Sequence, residues 1–158
     1  MGTIIVGAVL PVDEEELLGV ERRTGVTIPP EYREFILSHN GGSPVPADFL
    51  IYDRDGKVVD EDTVQGFYGV KTGVTYNDIE RTYGMFLGRM PSTLLPIAED
   101  PGGNQICICV SGEDIGKMFF WDHEKEVEEG ETPTYDNVSF LANSLHEFLD
   151  ALTGAGVD

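Results

Sequence analysis

Positive charge is scarce in this chain. Ten Lys and Arg stand against 29 Asp and Glu, a formal net charge of −19 over 158 residues. Nucleic acid and anionic lipid would both repel so acidic a surface, so neither a direct nucleic-acid partner nor a membrane partner is expected. The acidity serves either solvation or a basic partner, and charge alone does not separate the two. Cysteine is nearly missing too, with only Cys107 and Cys109 present. Two positions apart on one strand, they face the same way at a spacing ill suited to a disulfide, so no disulfide framework is expected. No apolar run approaches the roughly 20 residues that span a bilayer. The early run IIVGAVL has no basic segment before it and no small-residue cleavage motif behind it. The expectation is a cytoplasmic protein with one domain over residues 1–158.

Groups that do chemistry are also few. His39, His123 and His146 are the only histidines, and their spacing with the two cysteines matches no metal-ligand pattern. Neither a metal nor another cofactor is expected, and the thiols read as small core residues. Ser111, Asp122 and His123 have no G-x-S-x-G elbow or other local signature to join them in nucleophilic catalysis. GEDIGK, Gly112 to Lys117, is one residue short of a phosphate-binding loop and has Met118 where Ser or Thr would hold Mg²⁺. Asp53, Asp55 and Gly56 suggest a calcium loop, but aligning Gly56 on that loop's glycine puts Ile51 at the first ligand position. Each reads better as a turn, and no catalytic residue is expected.

The pattern that is present is α+β. A first helix is expected from about Asp13 to Arg23, with acids in its first turn and Gly25 near its end. A second starts at Pro30, spaces Tyr32, Phe35, Ile36 and His39 on one face, and stops at Gly41. DFLIYDRDGKVVDED reads as two strands around a turn at Asp53 to Gly56, and VQGFYGV as a further strand. YNDIERTYGMF carries a short inserted helix. LLPIA and QICICVS form a hairpin about DPGG, with Pro101 presetting its turn and Gly102 expected at positive φ. Ile106, Ile108 and Val110 face opposite to Gln105, Cys107 and Cys109, so this strand is expected to be covered on both sides. KMFFWDH is a third strand with Trp121 read as core, and SFLANSLHEFLDALTG closes the chain as an amphipathic helix with Ser139 as a possible cap. The expected fold is a largely antiparallel mixed sheet of about five to six strands with N-terminal helices, one inserted helix and a C-terminal helix.

Taken in order, IPPEYREFILSHNGG (Ile28 to Gly42), LPIAEDPGGNQICICVSGEDIGKMFFWDHE (Leu95 to Glu124) and SFLANSLHEFLDAL resemble the SUKH superfamily of immunity and cell-wall assembly regulator-like proteins. The match runs from about Asp13 to Leu152. It implies a non-enzymatic binding module, in many bacterial members an immunity protein that neutralises a cognate polymorphic toxin, often a nuclease. The alternative is a regulatory scaffold of the same fold that binds a cellular protein. Under the first reading the partner is a protein toxin with a basic surface, met by a monomer or homodimer. A partner surface is expected at Asp53, Asp55, Asp60, Glu61 and Asp62, where acidic side chains cluster around a turn and a strand end.

Overall fold

A computed structural model describes residues 2–154. Asp13 and Glu16 form a reciprocal capping box, so α1 (Glu14–Thr24) starts where its acidic first turn predicts. Gly25 ends it in the left-handed conformation. The second helix, α2 (Pro30–Ser38), has Pro30 at its first position. It stops at Ser38, before Gly41, because His39 turns extended. His39 stacks its half-buried ring on Phe35 with centroids 5.5 Å apart.

The strands are β1 (Ile4–Val6), β2 (Ser43–Val45), β3 (Asp48–Tyr52), β4 (Val58–Thr63), β5 (Gly66–Phe67), β6 (Leu94–Glu99), β7 (Gln105–Cys109), β8 (Met118–Trp121) and β9 (Val138–Ala142). The inserted helix α3 spans Ile79–Phe86, and α4 spans Leu145–Asp150. β1 and β2 pair alone, while the other strands form one seven-stranded sheet in the order β4-β3-β9-β8-β7-β6-β5. Every pairing between these strands is antiparallel, and the strand count exceeds the five to six expected. No helix among the described residues is long and apolar enough to cross a membrane.

The two outermost strands, β4 and β5, are neighbours in sequence, joined by Val64 and Gln65. The Val64 N–H donates to Ala47 on one side of this link, and the Gln65 N–H to Glu99 on the other. The sheet therefore curls until its edges meet at a seam. One face packs against the helices, burying Phe49, Ile51, Ile97, Ile106, Ile108, Phe120 and Leu141 with Leu17, Tyr32, Ile36 and Phe148. On the other face, Phe86 and Met90 cover Leu94, Cys107, Cys109 and Trp121. The central strand is thus covered on both sides, as its pattern predicts.

Two local expectations need correction. The closing segment is not one helix: Val138–Ala142 is β9, between β3 and β8, and the cap of the short α4 is Ser144, which accepts from the Glu147 N–H at 3.0 Å. Pairing with β8 overrides the helical spacing of Leu141 and Leu145. In the DPGG turn, positive φ falls on Gly103 (φ 92°), not on Gly102. Pro101 and Gly102 are the central residues of a turn closed by Gly103 N–H to Asp100 C=O, and the left-handed residue follows that turn.

Candidate functional site

Side-chain ties explain the motif residues of the hairpin. The Asp100 carboxylate, 5% exposed, accepts from Asn104 N–H at 2.7 Å and Asn104 Nδ2 at 2.8 Å. Asn104 Oδ1 in turn accepts from the His123 N–H at 2.9 Å, fastening the turn to the end of β8. Asp122 Oδ1 accepts from Glu124 N–H, so the neighbour of His123 serves as a local cap. Ser111 lies exposed in the next turn. Cys107 and Cys109 are free and buried, and burial pushes the Cys107 thiol far up. That favours an unreactive thiol. GEDIGK is the turn between β7 and β8, where Lys117 pairs with Asp114 at 2.9 Å. Among the described residues no group of three or more His, Cys, Asp or Glu side chains is arranged to hold a metal ion.

The acidic hairpin divides into parts with different tasks. Asp53 Oδ1 accepts from the N–H groups of Asp55 and Lys57, both at 2.9 Å, and so shapes the turn. Asp55 is exposed at its tip. On β4, Asp60 lies opposite Ile51 and Asp62 opposite Phe49, on the core-facing side of the sheet, whereas Glu61 lies opposite Leu50 and faces the other way. Being at the edge, β4 has no strand beyond it. The N–H groups of Glu61 and Thr63 are taken up by the carboxylates of Asp60 and Asp62, each at 2.8 Å.

Asp62 also reaches across the seam to form a carboxyl pair with Asp100. Burial and this hydrogen bond push the Asp62 carboxyl up to about 7. Burial opposes the Asp100 carboxylate too, but hydrogen bonds from Asp62, Asn104 and Gly102 outweigh it and hold that group low. Below about pH 7 the pair therefore holds one proton, carried by Asp62. Because the folded chain holds this proton above the ordinary aspartate range, Asp62 lowers stability as pH rises from about 4 to about 7. Asp62→Asn keeps a donor to Asp100 without the charge. Its melting temperature should exceed wild type at pH 8 and converge with it at pH 5, as thermal melts across that range would check; an equal gap at both pH values would remove the shared proton.

Two further features escape a reading of the chain. Arg89 forms a bidentate pair with Glu126, at 2.8 and 3.0 Å, above the Phe86 ring. It lines an open groove of about 930 Å³ together with Leu87, Gly88 and Glu126–Pro133. A row of rings crosses the sheet on the face away from α1 and α2: Tyr52 pairs with Phe140, and Phe140 with Phe119. Neighbouring centroids are 6.4 and 6.1 Å apart. Strand alternation could have placed these rings on one face, but not shown which part of that face is covered.

Curled sheet and turns tied by side chains together define an α+β module with an acidic sheet edge. The chain belongs to the SMI1/KNR4 family (SUKH-1), whose model matches residues 11–151. SUKH proteins are commonly immunity proteins of toxin systems and are generally non-enzymatic. The chain is also similar to the SPbeta prophage-derived uncharacterized protein YokK of Bacillus subtilis (strain 168). The two are 30% identical over 157 residues, covering 91% of this chain and 76% of the relative.

Proposed function

We propose that this chain is a non-enzymatic immunity protein that binds and neutralises a cognate bacterial toxin with a basic surface, a nuclease or another enzyme acting on nucleic acid. The observation that carries this reading is the net charge of −19 on a member of this family. A nuclease cleft is basic because it must hold phosphates, so an acidic protein that covers or flanks it gains steered association and complementary pairing. Blocking such a cleft needs no chemistry from the inhibitor.

Within the acidic hairpin, Asp55, Asp60 and Glu61 are the exposed members. Asp53 and Asp62 are tied into the turn and the seam, which argues for leaving both unchanged in a binding test. The test is coexpression with candidate toxin domains encoded by genes neighbouring this chain's own. Copurification and restored growth are expected, with association that slows as salt rises. Asp55→Lys, Asp60→Lys and Glu61→Lys combined should slow association about tenfold at low salt and flatten its salt dependence, with circular dichroism unchanged. A toxin that neither copurifies nor is neutralised sinks the reading and favours a regulatory scaffold.

A further inference from the structure

The covered face of the sheet is covered over only half its width. Above β6, β7 and the Trp121 end of β8, Phe86 and Met90 seal Leu94, Cys107, Cys109 and Trp121, the last with no exposed surface. From Phe119 on β8 across β9 to β3 the sheet stays open, and Phe119, Phe140 and Tyr52 are only half-buried. Leu50 extends the row at 40% exposure, with Glu61 beside it on the neighbouring strand. Tyr135, 49% exposed, arches over from the preceding loop through its hydroxyl contact with Thr93. It separates two hollows of about 370 and 300 Å³ that share Phe119 as a wall. The first has Asp53 and Asp136 at its rim, the second Glu113 and Asp114. Arg54 is the one basic side chain lining either hollow.

We propose that this open half-face, the Tyr52–Phe140–Phe119 row with its acidic rim, is the docking surface for an arginine- and lysine-rich patch of the toxin. The proposal rests on the reading above and names the surface that performs it. Rigid half-buried rings at a centre with charges around it are the arrangement that concentrates binding energy at protein interfaces. Guanidinium and ammonium groups are suited to both parts, lying over ring faces while they meet the rim carboxylates. A second copy of this chain is not, because it would set one acidic rim against another. The row joins the hairpin at Asp53 and Glu61, so both acidic elements flank one surface.

The test measures binding of the coexpressed toxin domain to three purified variants. Phe119→Ala with Phe140→Ala should weaken binding at least about thirtyfold. Glu113→Lys with Asp136→Lys touches no core contact and should weaken it about tenfold, chiefly in the association rate. Glu15→Lys with Glu34→Lys makes the same change in net charge on exposed positions of α1 and α2 and should stay within about threefold. A ring variant that melts like wild type and binds like wild type overturns the proposal, as does equal weakening by the rim and control pairs. If the ring variant does not fold, the rim pair against the control decides. Self-association of the wild type that Phe140→Ala abolishes would transfer the face to a homodimer and equally overturn it. Absence of wild-type binding is a different failure, which removes the toxin reading itself.

Discussion

Trp121→Ala lowers the free energy of unfolding by about 3–5 kcal/mol, the range for removing a large buried aromatic. The ring has no exposed surface and packs edge-on against Phe86 with centroids 5.3 Å apart. It also fills the space beside Cys107, Cys109 and Leu94, under the segment that seals half of the sheet. Alanine there leaves a cavity walled by strands on one side and by Phe86 and Met90 on the other, with little freedom to collapse. Trp121→Phe should cost less, because it leaves a smaller cavity. It retains a ring and removes Nε1, a buried donor without a hydrogen-bond partner among the described residues. Because Trp121 is the only tryptophan, unfolding in urea is followed by circular dichroism. Equal midpoints for Trp121→Ala and wild type would show that this packing contributes nothing.

Asn40→Leu is comparably damaging, at about 3–5 kcal/mol, through polarity instead of volume. The Asn40 side chain is 3% exposed and joins three segments. Its Nδ2 donates to the carbonyls of Leu10 and Val70, at 2.9 and 2.8 Å, and its Oδ1 accepts from the Val70 N–H at 2.7 Å. Leucine leaves all three backbone groups without that partner, and each buried orphan costs about 1–3 kcal/mol. The neighbourhood has no slack: a Cβ added at Gly69 would lie 2.6 Å from Asn40 Oδ1. The loss is a large part of the stability of an ordinary domain, and a urea midpoint within error of wild type would refute it.

Asn40 is the Asn of N-G-G, and Asp100 with Asn104 frame D-P-G-G-N, so the residues that made the family resemblance visible are largely those that tie turns together. Elements with local signals were legible for that reason: the Pro-started α2, the capped α1, and strands alternating about Gly-rich turns. β9 was not, because Leu141 and Leu145 continue the spacing of α4 backwards and only contact with β8 decides between helix and strand. β1 and β2 are three-residue strands that pair across nearly forty positions, with no local pattern to announce them. The acidic hairpin was legible as a charge cluster. That Asp53 and Asp62 turn their carboxylates into the fold depends on the seam and on turn geometry, which charge counting cannot reach.

The seam has a consequence for how the protein keeps to itself when concentrated. A long antiparallel sheet ordinarily ends in two rows of free backbone groups, each a template on which another chain can add a strand and begin a fibril. Here the β5 end spans only two residues and bonds to Gly42, while along β4 the carboxyl oxygens of Asp60 and Asp62 hold the N–H groups an incoming strand would take. Salt screens the long-range repulsion of a highly charged surface but leaves contacts this short in place. Resistance to stacking is therefore built into the rim of the sheet and persists in brine, where net charge would no longer protect it.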